Sequence, residues 1–357
     1  MDIKKYLKLM IDKDASDMFY RAGANVRMRL DGEVIPVGEE IVSLDEVNDA
    51  VKELTLNELK DFFQRDLDVD FGIYLPEFEH RFRVSIFMQR NWPAVVIRNI
   101  RSNIQTFEEL NLPAQILKEL SLETRGLVLL TGTMGSGKST AIASMIEYIN
   151  NNSKRHILTI EEPIEFTFKD KESIINQREL GIDVSSYAVA LRALTLHSPD
   201  VIFISNIRDY ETMFAAITAA ETGVLVLSTL HTVNASQSVE RIINFFPPHQ
   251  HREIRDQLSS VLKGVISLRL IPLKTGSGRI PAYETMLLTP TISRLIREGK
   301  DREIQQFIEE GAVYGMQSFN QSLIKLVKDG KISQEEAERF ADNKEDFVLA
   351  LKGIKKT

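Results

Sequence analysis

The sequence contains no cysteine and a single tryptophan among its 357 residues. Without cysteine the chain cannot form disulfides, hold an iron–sulfur cluster through thiolates or use a thiol nucleophile, and it suits a reducing compartment. It also lacks an uncharged apolar run approaching about 18 residues, so no transmembrane helix is predicted. Its first residues carry scattered charges rather than an apolar stretch, unlike a secretory signal. We therefore expect a cytoplasmic protein.

An excess of positive charge is missing as well. The chain has 44 Lys and Arg against 51 Asp and Glu, a net charge of −7. Because nucleic-acid binding depends mainly on Lys and Arg contacts to phosphates, no nucleic-acid partner is predicted. With 43% hydrophobic and 27% charged residues, the composition is that of an ordinary globular protein. The length suggests two domains.

The pattern of hydrophobic residues changes once along the chain. Alternating, strand-like runs in the first part predict a small α+β domain with an antiparallel sheet, at residues 26–30, 33–37, 69–74 and 80–88. Continuous apolar runs further on predict an α/β core whose strands are covered on both faces, at residues 126–130, 156–160, 200–205 and 224–228. The predicted organisation is a domain at 1–100, a hinge linker at 101–113, an α/β core at 114–288 and a helical segment at 289–357.

Residues 132–139 read G-T-M-G-S-G-K-S, which matches the phosphate-binding loop pattern G-x-x-x-x-G-K-[ST]. A strand-like run precedes the loop and a helical pattern follows it, so backbone N–H groups and a helix N-terminus would converge on an anion. We expect Lys138 to reach the terminal phosphates of ATP and Ser139 to bind Mg²⁺. The predicted nucleotide-binding residues are Gly132, Thr133, Met134, Gly135, Ser136, Gly137, Lys138, Ser139 and Thr140. The alternative is a glycine-rich turn without a ligand.

Several further motifs carry a family resemblance. They are R-F-R-V-S-I-F-M-Q-R at 81–90, I-E-E-P-I-E-F at 160–166, Q-R-E-L-G at 177–181, H-S-P-D-V-I-F-I-S-N-I-R-D-Y-E-T at 197–212 and T-P-T-I-S-R-L-I-R-E-G-K at 289–300. With these motifs the chain resembles the secretion-type hexameric ATPases, and within them the PilT and PilU branch of type IV pilus retraction motors. The resemblance implies a PAS-like N-terminal domain and a RecA-like P-loop domain.

The same resemblance implies an ATP-driven motor for pilus retraction and twitching motility. It also implies a homo-hexamer at the cytoplasmic side of the inner membrane, docked on the pilus platform protein, with a second retraction ATPase as a further candidate partner. Whether the chain has the PilT or the PilU role stays open.

The resemblance also implies roles for individual residues. Glu161 and Glu162 would lie near Mg²⁺ and the phosphates, and Glu165 near the attacking water. His231 would sense the γ-phosphate. Arg83 and Arg98 of the first domain would neutralise phosphate charge when that domain folds over the P-loop domain, a task for which guanidinium groups are suited. The alternative for these residues is an ordinary solvated position at a strand end or on a sheet face.

Two positions depart from the family pattern. Asn206 stands where the family carries the catalytic glutamate of its G-E-M/I-R-D motif, and Val224 stands where the family carries a histidine. An asparagine can hydrogen-bond a water molecule but cannot accept its proton, so hydrolysis should be slow while nucleotide binding is retained. Two functions therefore stay open: an active, weakened retraction ATPase, and a hydrolysis-poor structural or accessory subunit of the motor.

Overall fold

The structure is a computed structural model that describes residues 3–30, 32–55, 67–100, 103–192, 197–276 and 278–353. The chain forms two compact units. The N-terminal unit comprises Met1–Asn103 and Pro163–Thr167, and the C-terminal unit comprises Ile104–Glu162 and Phe168–Thr357. The division falls within the predicted linker 101–113, of which residues 101 and 102 lie outside the described residues.

The N-terminal unit contains a six-stranded antiparallel sheet in the order β3-β2-β1-β6-β5-β4. Its strands are β1 (Asp17–Arg21), β2 (Asn25–Leu30), β3 (Glu33–Ile41), β4 (Asp68–Leu75), β5 (His80–Gln89) and β6 (Trp92–Asn99). The antiparallel α+β fold predicted for this part of the chain is confirmed.

Among the described residues, two helices cover one face of this sheet, α1 (Ile3–Asp12) and α2 (Leu44–Leu54). Apolar residues of α1 recur at helical spacing and are buried in the same core as Met18 and Val84 of the sheet. Helix α2 begins at a capping box, in which Ser43 and Glu46 each bind the other's backbone N–H. The opposite face of β5 and its neighbour β6 carries Arg83 and Arg98 together with apolar side chains such as Phe87 and Val96.

The C-terminal unit contains a seven-stranded sheet in the order β13-β12-β7-β11-β10-β8-β9, parallel except for the antiparallel β12–β13 hairpin. Its strands are β7 (Gly126–Thr131), β8 (His156–Glu161), β9 (Ile174–Glu179), β10 (Val201–Ile204), β11 (Leu225–Leu230), β12 (Leu262–Pro272) and β13 (Arg279–Leu287). Strand β11 lies between β7 and β10 and runs parallel to both, so the carboxyl ends of these three strands lie side by side at one edge of the sheet.

Helices cover both faces of the second sheet. They are α3 (Ala114–Ser121), α4 (Lys138–Asn152), α5 (Tyr187–Arg192), α6 (Tyr210–Glu221), α7 (Ala235–Ile243) and α8 (His251–Val261). In β7, Leu127 and Leu129 pack into one core, and Val128 and Leu130 pack into a second core. This double coverage explains why the strand is a continuous apolar run rather than an alternating one.

The C-terminal segment is helical, as predicted. Its helices are α9 (Pro290–Glu298), α10 (Ile304–Glu310), α11 (Phe319–Lys328), α12 (Gln334–Phe340) and α13 (Lys344–Leu351). Short 3₁₀ turns occur at Pro76–Phe78, Pro248–Gln250, Asp301–Glu303 and Gly311–Tyr314. Within the described residues, none of the helices is both long and apolar enough to span a membrane.

Part of the predicted hinge linker is anchored in the C-terminal unit. Phe107 and Leu112 are buried in the same core as Leu117 of α3 and Val128 of β7. A buried phenylalanine holds the backbone around it through packing. We therefore restrict the proposed hinge to the part of 101–113 that precedes Phe107.

Candidate nucleotide-binding and hydrolysis site

The P-loop connects β7 to α4 at the carboxyl edge of the second sheet. Gly132 has φ +142°, and a Cβ placed on it would lie 2.5 Å from the carbonyl oxygen of Leu268. Gly137, with φ +95°, precedes the first residue of α4. Both positions require glycine, the first because a side chain would collide with β12 and the second because its backbone is left-handed. The loop therefore turns closely past β12 into the N-terminus of α4.

Lys138 is held over this loop. Its Nζ donates hydrogen bonds to the carbonyl oxygens of Gly132 and Thr133, both at 2.8 Å, and the residue is 7% exposed. The Oγ atom of Ser136 is buried and, among the described residues, has no hydrogen-bond partner. A buried cation, an orphaned hydroxyl and the N-terminus of a 15-residue helix suit phosphate oxygens.

The other predicted loop residues occupy the positions that the motif requires. Ser139 and Thr140 lie in the first turn of α4, and Met134 is 90% exposed at the loop tip. A hydroxyl in this first turn is the usual ligand through which a P-loop holds Mg²⁺. The residues present therefore fit a Mg²⁺–nucleotide complex.

His231 and Asn206 meet at the same edge of the sheet. His231 follows β11 and Asn206 follows β10, and Asn206 Nδ2 lies 3.3 Å from His231 Nε2. Because an amide NH₂ can only donate, this contact requires an uncharged ring nitrogen as acceptor. Burial lowers the pKa of His231, and the positive charges of Lys138 and Arg208 lower it further. The fold therefore brings Lys138, His231 and Asn206 together and favours a neutral imidazole.

Asn206 presents an acceptor rather than a base. Its Oδ1 is buried and, within the described part of the chain, accepts no hydrogen bond. An amide oxygen in this position can orient a water molecule but cannot take its proton. The departure from the family pattern thus lies beside His231, and its effect on hydrolysis stays a prediction.

Glu161 and Glu162 stand at the end of β8, the neighbour of β10. Glu161 is 4% exposed, and its Oε1 accepts hydrogen bonds from Thr159 Oγ1 at 2.6 Å and Gln177 Nε2 at 3.1 Å. Glu162 forms an ion pair with Arg208 at 3.3 Å. Both carboxylates therefore lie at the edge that carries Asn206, Glu161 with buried hydrogen bonds and Glu162 with an exposed ion pair.

Sequence reasoning missed a contact between Tyr187 and Ser205. The Tyr187 hydroxyl lies 2.9 Å from Ser205 Oγ, which also accepts the backbone N–H of Glu162 at 3.2 Å. Burial raises the pKa of Tyr187, which keeps its hydroxyl protonated. A serine in place of the motif's glycine was the available signal, whereas Tyr187 stands in no motif. The contact ties α5 to the backbone beside Asn206.

Arg83 and Arg98 belong to the N-terminal unit, where they lie opposite each other on adjacent strands β5 and β6. Arg83 Nε donates to Asp70 Oδ1 at 2.9 Å, and Arg98 Nε donates to Asp17 Oδ1 at 3.0 Å. Burial alone would raise the pKa of Asp17, but its hydrogen bonds from Ser16 and Arg98 lower it below its usual value. The two predicted phosphate-binding arginines are thus neighbours on one sheet face.

Glu165 lies in Pro163–Thr167, the short segment that belongs to the N-terminal unit, and its side chain is exposed. It therefore shares a unit with Arg83 and Arg98, whereas the P-loop, Asn206 and His231 belong to the C-terminal unit. Its role beside the attacking water stays a prediction.

Val224, the second departure from the family pattern, lies away from His231 and Asn206. Val224 lies at the amino end of β11, where its carbonyl accepts the backbone N–H of Gly126 at 3.0 Å. His231 follows the carboxyl end of the same strand, about 20 Å away at the rise of an extended chain. A side chain at position 224 cannot act on a phosphate beside His231 in the same unit. A weakening of hydrolysis by Val224 therefore stays a prediction, and it would not act beside His231 in the same unit.

Comparisons with known proteins agree with this architecture. Residues 1–339 match the family described as Type II/IV secretion system protein. The type IV pilus ATPase PilU of Pseudomonas aeruginosa is 41% identical over 352 residues, which cover 99% of this chain and 92% of that protein. The type IV pilus retraction ATPase PilT of the same organism is 39% identical over 347 residues, covering 97% of this chain and 100% of that protein.

A solved structure gives the same result. The crystal structure of the pilus retraction motor PilT with bound ADP matches with a TM-score of 0.89 and 39% identity, covering 97% of this chain and 98% of that chain. Because these matches extend over both units, this chain belongs to the Type II/IV secretion system protein family, among its PilT- and PilU-like members.

Proposed function

We propose that this chain binds Mg·ATP at the P-loop and serves as a nucleotide-driven motor subunit for type IV pilus retraction and twitching motility. The observation that carries the proposal is the convergence of Lys138, His231 and Asn206 at one sheet edge, in a chain that is similar to PilT and PilU along its whole length. The ADP in the related PilT structure supports nucleotide binding by this chain.

Each group at the edge has a defined task in this proposal. Lys138 and the loop N–H groups bind the phosphates, while His231, held neutral, donates a ring N–H hydrogen bond to the γ-phosphate. Ser139 and the carboxylates of Glu161 and Glu162 would hold Mg²⁺ and its water shell, and the ion would neutralise phosphate charge. Arg83, Arg98 and Glu165 remain proposed contributors from the N-terminal unit.

A second candidate function is a hydrolysis-poor accessory subunit. Asn206 favours it, because a site without a general base at this position binds ATP but turns it over slowly. In either function we propose a homo-hexamer docked on the platform protein at the cytoplasmic face of the inner membrane, with a second retraction ATPase as a possible partner of the ring.

Phosphate release by the purified full-length chain at saturating Mg·ATP tests how far Asn206 limits hydrolysis in either function. We expect slow turnover by the natural chain and an increase of at least about tenfold in kcat for Asn206→Glu, which corresponds to about 1.4 kcal/mol of barrier. Because the carboxylate acts on water in the transition state, ATP affinity should not tighten.

Asn206→Gln is the matched control, since it has the length of glutamate without its basicity, and it should not raise the rate. Rapid hydrolysis by the natural chain that is abolished by Glu162→Gln or Glu165→Gln would contradict the proposal for Asn206. It would show that another carboxylate serves as the base.

A further inference from the structure

Residues 231–235, which we call the His231 loop, form hydrogen bonds with both strands of the β12–β13 hairpin. Arg269 Nη2 on β12 donates to the carbonyl oxygen of Val233 at 3.3 Å. Glu284 Oε1 on β13 accepts the backbone N–H of Ala235 at 2.8 Å. In the antiparallel register Arg269 lies opposite Ala282 and Glu284 lies opposite Ser267, so the two side chains leave the same face of the hairpin.

The same two side chains also contact the C-terminal helices. Arg269 Nη1 donates to the carbonyl oxygen of Phe340 at 2.6 Å, and its guanidinium group lies 3.8 Å from the ring centroid of Phe319. It also pairs with Asp342. Glu284 Oε2 accepts a hydrogen bond from Gln305 Nε2 at 3.1 Å. Each hairpin residue therefore has one contact to the His231 loop and at least one to the segment that follows Thr289.

Because both side chains are largely buried, their hydrogen bonds are costly to break. Glu284 is fully buried, and the side chain of Arg269 is 16% exposed. A buried ionisable group that loses a partner is left desolvated without compensation, so such groups keep their hydrogen bonds. The hairpin also contacts the P-loop strand, since Thr131 Oγ1 donates to Ser267 Oγ at 2.8 Å. One rigid hairpin thus supports both Thr131, the residue before the P-loop, and the loop that carries His231.

We propose that Arg269 and Glu284 are positioning residues that couple the C-terminal helices to His231. Through these two residues the C-terminal segment determines the position of the His231 imidazole beside Asn206. That position in turn determines how strongly the site prefers a nucleotide that carries a γ-phosphate. This inference rests on the proposed function in one respect, the contact of His231 with the nucleotide.

The test compares Arg269→Gln with the matched control Arg339→Gln in the full-length chain. Arg339 lies on α12 with a 73% exposed side chain and pairs only one turn away, with Glu336. Two measurements are made: amide hydrogen exchange of residues 231–238 without nucleotide, and the affinities for ADP and for a non-hydrolysable ATP analogue. We expect Arg269→Gln to speed exchange about tenfold and to lower the ratio of analogue to ADP affinity at least about threefold, with ADP affinity unchanged.

Arg339→Gln should change neither measurement. Asp342→Asn removes the charge that pairs with Arg269 and should change the exchange rate and the affinity ratio in the same directions, but less. If Arg269→Gln fails to fold, the Asp342 variant tests the proposal in its place. A lower melting temperature with unchanged exchange and an unchanged ratio would overturn the proposal and leave a purely structural role. Faster exchange with an unchanged ratio would overturn the coupling to the nucleotide.

The two proposals fail separately. A natural chain that binds neither nucleotide would contradict the proposed function. The exchange of residues 231–238 is measured without nucleotide, so it still decides whether Arg269 holds the His231 loop in place.

Discussion

The two sheets of this chain use their strands in different ways. The antiparallel sheet of the N-terminal unit packs one face on α1 and α2 and presents charged side chains, among them Arg83 and Arg98, on the other. Strand β7 of the second sheet is buried along its entire length, and the polar groups of that sheet's site stand beyond the strand ends. Where both faces are covered, the carboxyl edge is the place left for chemistry.

This difference affects how tightly the functional groups are held. Lys138, Asn206 and His231 are placed by short connections between buried strands and helices, so backbone geometry fixes them. Arg83 and Arg98 stand on long side chains over an open face and are held by carboxylates, which water and salt weaken. Substitutions at the edge should therefore have large effects on binding, and substitutions on the open face smaller ones.

The largest effect is expected for Lys138→Ala. Removal of a charge-assisted contact to the terminal phosphates should weaken ATP binding by about 100-fold or more, about 2.7 kcal/mol, as measured by isothermal titration calorimetry. Lys154→Ala, an exposed lysine that follows α4, serves as the charge-matched control and should leave the affinity unchanged. Equal affinities for the Lys138 variant and the natural chain would contradict the assignment of the P-loop.

Much of the fold could be predicted from the sequence because its signals are local. The continuous apolar runs of β7, β8, β10 and β11 and the glycine spacing of the P-loop are short-range features. The β12–β13 hairpin was not predicted. Proline and glycine within its strands, such as Pro281 and Gly264, resemble turn signals, and its interior holds charged groups.

The site was only partly predictable for the same reason. Lys138 and His231 stand in motifs, whereas Arg269 and Glu284 acquire a role only when β12, β13, α7 and the C-terminal helices meet in space. Val224 illustrates a related limit of the sequence. It is seven positions from His231 in the sequence, yet an extended strand separates the two ends of β11, so proximity in sequence did not mean proximity in the fold.

An intermediate effect is expected for Glu284, the buried carboxyl group on β13. Burial raises its pKa from 4.5 to about 7. Between these values the folded chain binds a proton that the unfolded chain has lost, so stability falls as pH rises from 5 to 8. Glu284→Gln removes this dependence while its amide oxygen still accepts the N–H of Ala235.

Urea unfolding at pH 5, 6, 7 and 8 measures the effect. The free energy of unfolding of the Gln variant relative to the natural chain should increase by about 1–3 kcal/mol from pH 5 to pH 8. For Glu253→Gln, at an exposed position on α8, the free energy of unfolding should change with pH in the same way as that of the natural chain. Parallel curves for the Glu284 variant as well would show that the carboxyl group is already ionised at pH 5.

The smallest effect is expected on the open face of the first sheet. Arg98→Gln removes one partner of Asp17, which keeps Arg29 at 3.1 Å, so the free energy of unfolding should change by less than about 1 kcal/mol. If Arg98 neutralises phosphate charge as we propose, the variant should bind an ATP analogue about fivefold more weakly, about 1 kcal/mol, with ADP affinity unchanged. Arg27→Gln is the control, because Arg27 is exposed on β2 of the same sheet.

Equal losses of affinity in the Arg27 and Arg98 variants, disappearing at high salt, would mean that this sheet face acts only through its total charge. A loss of analogue affinity confined to variants of Arg98 and its neighbour Arg83 would instead show that these two arginines make a specific contact with the nucleotide, as the groups at the carboxyl edge of the second sheet are proposed to do.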